Sequence, residues 1–201
     1  MTLGTWNIFF ALNLWYSHSE TIRSQDVEAA APLLQFFGSA VDIGGARFTT
    51  GSIFMVLLFA LFWYVLNWTA WGRRVHAVGD DVESARLAGI PTGRVLISVY
   101  VTAGVICAMA GWVLIGRIGS VSPQSGQTAN LDSITAVVIG GTSLFGGRGS
   151  IIGTLLGALI VGVFRNGLAL SGVDVLWQDF AVGLLSITAV AIDQSLRRLS
   201  M

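Results

Sequence analysis

The sequence predicts an all-α, polytopic bundle of transmembrane helices. Hydrophobic residues make up 54% of the chain and charged residues 11%, whereas a soluble domain has about 25% charged residues. The runs Gly51–Trp71 and Val95–Gly116 are uncharged, and about 21–22 residues suffice to cross ~30 Å of hydrocarbon as a helix. The apolar residues form continuous runs and do not alternate with polar residues, which argues against a β-barrel. We expect residues 1–201 to form one transmembrane domain in the lipid bilayer.

About six membrane segments are expected, some of them short or broken. Each should be helical, because backbone groups in lipid must be paired within the chain. The first segment has only about 15 residues, which is short for a full span. It is either a half-helix buried against protein or the place where the chain begins inside a larger protein. The segments are Thr2–Tyr16, Ser52–Trp71, Val95–Gly116, Ser133–Gly147, Ser150–Leu170 and Leu176–Ile192.

Small residues recur every four positions at Gly149, Gly153 and Gly157. This spacing places them on one stripe of a helix and lets another helix backbone approach closely. The stripe therefore predicts helix packing, and a role in lining a pore is compatible with it.

The distribution of arginine predicts the orientation, since the chain contains no lysine. Six spans place most of the arginines on one side of the bilayer, and positive residues favour the cytoplasm. The loop 72–94 is therefore predicted to be cytoplasmic and the loop 17–50 external. The external loop holds a possible interfacial helix within Val27–Phe37, which suits either docking of an external partner or a simple surface cover. The predicted cytoplasmic arginines are Arg73, Arg74, Arg86, Arg94, Arg148, Arg197 and Arg198, and the others are Arg23, Arg47, Arg117 and Arg165.

The cytoplasmic loop carries the signals of a helix of about two turns. We expect a break at Gly79, a cap from Asp80 or Asp81, and a favourable interaction of Glu83 and Arg86 with the helix dipole. Gly89 and Pro91 should end the helix. It is either a surface connector or a peg that inserts into a nucleotide-binding subunit and moves the spans on either side. The predicted coupling residues are Gly79, Asp80, Asp81, Glu83, Ala85, Arg86, Leu87 and Gly89.

Two stretches of the sequence resemble one known family. Residues 71–90 (WGRRVHAVGDDVESARLAGI) and 131–150 (LDSITAVVIGGTSLFGGRGS) resemble permease subunits of ABC sugar importers, in the ribose, xylose and fructose branch. Within that branch, Asp80-Asp81, Gly119–Pro123 and Asp193-Gln194 are most similar to the fructose permeases. The opening Thr2–Thr5 resembles a half-helix from the middle of such permeases, so the chain resembles their C-terminal portion.

The resemblance implies a membrane subunit of a binding-protein-dependent importer in the bacterial inner membrane. Its implied partners are an ABC ATPase subunit, a periplasmic sugar-binding protein and a second permease copy. The sugar would be a monosaccharide such as fructose or ribose. The permease would translocate it while the separate ATPase acts through residues 79–90.

The sequence argues against an enzyme. The glycine-rich residues 140–150 lack the lysine with which a Walker A loop reaches phosphate, so ATP hydrolysis is expected on another chain. His18 and His76 fall in different loops and Cys107 in a span, so no metal site or other cofactor is expected. The net charge of +0 gives no indication of nucleic acid binding.

The solute pathway is predicted from polar residues in short or interrupted segments, where backbone can line a cavity. Acids at helix starts, Asp132 and Asp179, favour helix capping over proton coupling. Trp6 and Trp15 also suit an interfacial aromatic belt. Two other functions stay open: an ATP-independent channel or secondary carrier, and a truncated permease fragment without transport. The pathway candidates are Thr5, Trp6, Asn7, Asn130, Asp132, Ser133 and Thr135.

Overall fold

The apolar segments of the sequence form α-helices, and the all-α prediction is confirmed. The structure, a computed structural model, describes residues 2–43, 46–126, 128–143, 146–147 and 149–199. Its helices are α1 (Thr2–Tyr16), α2 (Ser24–Ala30), α3 (Thr50–Trp68), α4 (Ala70–Asp80), α5 (Val82–Leu87), α6 (Thr92–Ile118), α7 (Ala129–Ile139), α8 (Ile151–Leu170) and α9 (Val175–Leu199).

Three of the described helices, α3, α6 and α8, are long and apolar enough to cross a membrane. Two further apolar stretches are shorter, namely α7 and the part Val175–Ala191 of α9. Large apolar side chains on the long helices, such as Leu57, Val101 and Val163, are exposed, as expected for surfaces that face lipid. The chain is a multi-pass membrane protein.

The predicted fourth segment, Ser133–Gly147, is wrong in its bounds, because α7 begins at Ala129 and ends at Ile139. Gly141 has a φ of +75°, a left-handed conformation that glycine adopts without strain. The amides of Gly141 and Thr142 bond back to the carbonyls of Val138 and Val137, which closes the helix in a Schellman motif. Arg148, one of the arginines predicted to be cytoplasmic, lies outside the described residues.

One compact unit comprises Met1–Leu58 and Tyr100–Gln127. In it the predicted external loop packs on the helices through aromatic residues: Phe37 meets Phe54 and Trp112 with ring centroids 4.9 and 5.0 Å apart. The indole N–H of Trp112 donates to the carbonyl of Leu33 at 3.1 Å. This loop is therefore folded against α3 and α6.

The folded loop contains more structure than the one interfacial helix predicted for Val27–Phe37. Helix α2 ends at Ala30, and a 3-10 helix, Pro32–Gly38, follows it. Strands β1 (Ala40–Ile43) and β2 (Ala46–Thr49) then form an antiparallel hairpin. A Gly-Gly pair at residues 44–45 of the sequence is the usual signal for such a hairpin.

The second unit comprises Phe59–Val99 and Thr128–Met201. Helices α7 and α8 approach each other backbone to backbone, because a Cβ on Gly153 would overlap the carbonyl oxygen of Gly140. A Cβ on Gly157 would likewise overlap the carbonyl oxygen of Ala136. Gly149 lies before α8, where its Cβ would be 2.8 Å from the side chain of Thr142. The three predicted packing glycines thus face residues of α7 or of the loop after it.

Candidate functional site

The predicted break at Gly79 is wrong, because α4 continues through Gly79 to Asp80. The break before the short helix lies at Asp81, which has an extended backbone between α4 and α5. A second break lies at Thr69, which separates α3 from α4 and accepts a hydrogen bond from the amide of Gly72. A glycine inside a helix costs only about 1 kcal/mol relative to alanine, so Gly79 need not end the helix. We use "coupling segment" for residues 79–90.

Asp81 caps the short helix α5; it is one of the two residues, Asp80 and Asp81, predicted as the cap. Its carboxylate accepts the amide of Glu83 at 2.9 Å and the hydroxyl of Ser84 at 2.6 Å. The hydrogen bond from the Ser84 hydroxyl, and after it the one from the Glu83 amide, lowers the pKa of Asp81 below its ordinary value, because both bonds favour the charged form. The start of α5 is therefore held by an ionised carboxylate.

Gly89 ends α5 as predicted. Its φ is +79°, and its amide bonds to the carbonyl of Arg86 while the amide of Ile90 bonds to the carbonyl of Ala85. These two bonds form a Schellman motif. Helix α5 is thus fixed at both ends by local hydrogen bonds, although it has only 6 residues.

The two faces of α5 have opposite environments. Ala85 is 4% exposed and packs in a small cluster with Val78 and Val95. Glu83, Arg86 and Leu87, at spacings of three and four residues, share the other face. All three are exposed, and Leu87 is 82% exposed. The coupling segment therefore presents an apolar side chain flanked by two charges of opposite sign.

Among the pathway residues predicted on α1, the structure places Trp6 at a cavity of about 230 Å³ in the first unit. Four cavity residues follow the spacing i, i+3, i+4 and i+7 on α1, which is one helix face. Thr5 and Asn7 are absent from this lining, since each projects about 100° to one side of Trp6, outside the arc that the four lining residues span. The lining is Trp6, Phe9, Phe10, Asn13, Pro123, Ser125 and Gly126.

The sequence analysis did not predict Asn13, whose side-chain amide lines this cavity. Its side-chain nitrogen donates to the carbonyl of Pro123 at 3.4 Å, which connects α1 to the stretch after α6. The heptad-like spacing from Trp6 to Asn13 was the signal that could have identified it. The cavity combines aromatic rings with an amide and a hydroxyl.

The pathway residues predicted on α7 lie in the second unit and have different environments. Asn130 and Ser133 are exposed. Thr135 is 1% exposed, and its hydroxyl bonds to the carbonyl of Leu131 and to the hydroxyl of Ser186 in α9. Thr135 therefore packs between α7 and α9, and its predicted contact with solute stays a prediction.

The capping role predicted for Asp132 and Asp179 is wrong. The cap of α9 is Asp174, whose carboxylate accepts the amide of Leu176. Asp132 and Asp179 instead flank Arg165 of α8, whose guanidinium nitrogen lies 2.8 and 3.0 Å from their carboxylate oxygens. The sequence analysis used Arg165 only to predict the orientation and did not predict its pairing with these two acids.

This ion triad connects three helices of the second unit. All three side chains are partly exposed, with Asp179 the most exposed at 42%. The Nε of Arg165 is buried and has no hydrogen-bond partner among the described residues. Ionisable groups in membrane helices are costly and usually pair with one another. Arg165 therefore balances the carboxylates of Asp132 in α7 and Asp179 in α9, which would otherwise repel each other.

Comparison with known proteins gives a family match and several relatives. The family described as "Branched-chain amino acid transport system / permease component" matches residues 1–190. The fructose import permease protein FrcC of Rhizobium meliloti is 62% identical over 200 residues, which cover 100% of this chain and 56% of the relative. No solved structure matches the chain.

Two further relatives are more distant. The ribose import permease protein RbsC of Bacillus subtilis is 39% identical over 193 residues, covering 96% of this chain and 58% of the relative. The xylose transport system permease protein XylH of Escherichia coli is 42% identical over 132 residues, covering 66% of this chain and 34% of the relative. The chain thus spans little more than half the length of the first two relatives.

Proposed function

Because the chain belongs to the family of branched-chain amino acid transport system permease components, we propose that it is the permease part of an ATP-driven monosaccharide importer. The family description names amino acids, so it does not indicate a sugar. The proposed sugar class comes from the relatives, whose names specify fructose and ribose. The resemblance predicted from residues 71–90 and 131–150 is confirmed by the same matches. Fructose is the first sugar to test, given 62% identity to FrcC.

The main structural support for this proposal is the exposed face of the coupling segment. A short helix fixed at both ends presents the exposed side chains of Glu83, Arg86 and Leu87. An exposed leucine with charges beside it suits a groove on a partner, where buried apolar contact supplies affinity and charges set the register. We assign this face to the ABC ATPase subunit, which hydrolyses ATP on its own chain.

The solute would pass along surfaces that combine rings with polar groups. A monosaccharide has apolar C–H faces and hydroxyl edges, and the cavity at Trp6 offers three aromatic rings, the amide of Asn13 and the hydroxyl of Ser125. Pockets with few placed polar groups in an apolar lining are typical of small-molecule sites. This cavity is the best candidate for sugar contact in the first unit.

The proposed importer also requires partners other than the ATPase subunit. A periplasmic sugar-binding protein would deliver the sugar from outside, and a second permease copy would complete the transporter. The location is the bacterial inner membrane, with the coupling segment in the cytoplasm and the loop 17–50 outside. A separate polypeptide or a longer form of this chain would supply the part of the relatives that the chain does not span.

The test measures capture of the ATPase subunit and fructose uptake in host membranes. Replacing Glu83, Arg86 and Leu87 together by alanine should reduce both by about tenfold or more, as loss of ~1.4 kcal/mol of binding would. The control replaces Asp42 and Arg47, an exposed acid–arginine pair 3.5 Å apart in the hairpin, and should leave ATPase capture unchanged. Equal ATPase capture by the two variants would overturn the proposal, and sugar flux without any ATPase would support a channel or carrier.

A further inference from the structure

The glycine pair Gly146–Gly147 lies directly against the end of α4. Gly146 has a φ of +97°, and a Cβ there would overlap the carbonyl oxygen of Gly79. Gly147 has a φ of +75°, and its Cβ would be 2.5 Å from Oδ1 and 3.2 Å from Cα of Asp80. In the other direction, a Cβ on Gly79 would lie 3.4 Å from the amide nitrogen of Gly147. The coupling segment and the stretch between α7 and α8 thus meet backbone to backbone.

A contact without intervening side chains transmits displacement well. Side chains can change rotamer when a neighbour moves, but two backbones in contact must shift together, since packed interiors have little free volume. Glycine is required at Gly146 and Gly147 for two reasons: the left-handed φ and the absence of space for a Cβ.

The same close approach continues from Gly146–Gly147 into the helices. Gly140 meets Gly153, and Ala136 meets Gly157, again with backbone atoms in contact. At the far end, Arg165 of α8 pairs with Asp132 of α7 and Asp179 of α9. Helices α7, α8 and α9 are therefore joined along their lengths and form one body behind the glycine pair.

We propose that movement of the coupling segment reaches the α7–α8 pair, where the predicted pathway residues Asn130 and Ser133 lie, through the Gly79–Gly146 and Asp80–Gly147 contacts. This inference rests on the proposed function, because the movement originates at the ATPase subunit. It differs from the expectation that the segment moves the two spans that flank it in sequence. Gly146 and Gly147 are then positioning residues for transport, although they touch neither sugar nor ATP.

The test compares alanine variants at glycines with the same backbone conformation. Gly146→Ala and Gly147→Ala introduce both φ strain and overlap with the coupling segment. Gly141→Ala introduces the same kind of strain, since its φ is +75°, but its Cβ would have no atom within 4 Å. All variants are made in the full transporter, reconstituted in liposomes with the ATPase subunit and the binding protein, and sugar uptake is measured per ATP hydrolysed.

Gly146→Ala and Gly147→Ala should capture the ATPase subunit normally but lose at least about fivefold in uptake per ATP, the lower end of usual allosteric coupling. Gly141→Ala should retain wild-type uptake per ATP. Asp80→Ala combined with Gly147→Ala removes the carboxylate oxygen that the new Cβ would overlap but keeps the 3.2 Å approach to the Cα of residue 80, so it should recover part of the uptake per ATP that Gly147→Ala loses. This double variant separates overlap from backbone strain and from failure to fold.

Two results would overturn the inference without affecting the proposed function. The first is that Gly146→Ala and Gly147→Ala have the same uptake per ATP as Gly141→Ala. The second is that the double variant has no higher uptake per ATP than Gly147→Ala. Loss of ATPase capture by Gly146→Ala or Gly147→Ala would also overturn it, because the contact would then shape the docking surface. If the wild-type chain captures no ATPase subunit, the proposed function itself fails. The capture and uptake measurements therefore distinguish the two failures.

Discussion

The guanidinium of Arg165 in α8 donates a 2.8 Å hydrogen bond to the carboxylate of Asp132 in α7. A second carboxylate, that of Asp179 in α9, lies 3.0 Å from the same nitrogen. One cation thus balances two anions, at a point about 8 Å before the end of α8 at the usual rise per residue. The arrangement explains why two acids can lie close together on neighbouring apolar helices.

Removing the cation should destabilise the protein more than removing the whole triad. Arg165→Ala leaves two unpaired carboxylates, and the expected loss is below the ~3–5 kcal/mol of a fully buried pair, since these side chains are partly exposed. The triple variant Asp132→Asn, Arg165→Gln, Asp179→Asn should recover most of the stability, because neutral groups need no partner charge. Thermal unfolding in detergent, followed by circular dichroism, measures both.

Arg117→Ala is the control for the triad, since Arg117 is likewise an arginine in a helix long and apolar enough to span the membrane, and it is exposed in the last turn of α6. It should unfold like the wild type. If Arg165→Ala unfolds no earlier than Arg117→Ala, the ion triad contributes nothing to the joining of the three helices.

The cap at Asp81 predicts a pH dependence of α5. The pKa of Asp81 is lowered in the folded protein, so the capped state is favoured at pH values above the ordinary aspartate pKa. This contribution is lost as the pH falls through the lowered pKa. Ser84→Ala removes the strongest of the hydrogen bonds that lower this pKa. The loss of α5 should therefore begin at a higher pH in this variant than in the wild type.

Hydrogen exchange of the Glu83 amide, corrected for the intrinsic pH dependence of exchange, measures this effect. Ser133→Ala provides the control, because the Ser133 hydroxyl donates to a backbone carbonyl and not to a carboxylate. Superimposable protection profiles for Ser84→Ala and the wild type would show that the Ser84 bond does not set the pKa of Asp81.

Much of the fold was predictable because long uncharged runs must be helical in lipid. The runs that became α3 and most of α6 have this property, α8 is apolar except for Arg165, and the local signals at Asp81, Glu83, Arg86 and Gly89 correctly predicted α5. The ends of α4 were missed, because Gly79 is a statistical breaker whose close neighbours, Gly146 and Gly147, are distant in sequence. Spacing along the chain does not encode such approaches.

The ion triad was also beyond prediction for a physical reason. Arg165 is 33 residues from Asp132 and belongs to a different helix, so no helical period connects the two. Asp179 looked like a helix cap by position, whereas Asp174, five residues earlier, supplies the cap of α9. Only the packing of α7, α8 and α9 determines which acid meets the arginine.

The cavity on α1 predicts how sugar uptake should respond to substitution. Trp6→Ala and Asn13→Ala each remove a group that lines the cavity. Loss of one aromatic contact worth ~0.5–1.5 kcal/mol should raise the KM for fructose by about two- to tenfold. The maximal rate should change less, because the coupling segment is intact. Uptake of labelled fructose over a range of concentrations measures both parameters.

Trp15→Ala is the control for the cavity, since Trp15 is on the same helix and exposed but does not line the cavity. Its KM should equal that of the wild type. A KM that rises equally in Trp6→Ala and Trp15→Ala would indicate a general effect of aromatic loss from α1, and the cavity would have no specific part in binding sugar.

The glycines of α8 fall into two classes, and alanine should separate them. A Cβ on Gly157 would overlap the carbonyl of Ala136 and lie 2.8 Å from the amide nitrogen of Gly140, whereas Gly162 and Gly167 have no atom within 4 Å of such a Cβ. Gly157→Ala should therefore destabilise the protein by about 1–3 kcal/mol, the usual cost of overpacking.

Gly162→Ala should have no such effect and should favour the helix slightly, since alanine is about 1 kcal/mol better than glycine in a helix interior. The midpoints of thermal unfolding in detergent give the comparison, and the opposite signs exclude a general effect of lost flexibility. Equal midpoints for Gly157→Ala and Gly162→Ala would mean that α7 and α8 can move apart by the width of a methyl group at no cost. The two helices would then be too loosely joined to carry a movement from the coupling segment as one body.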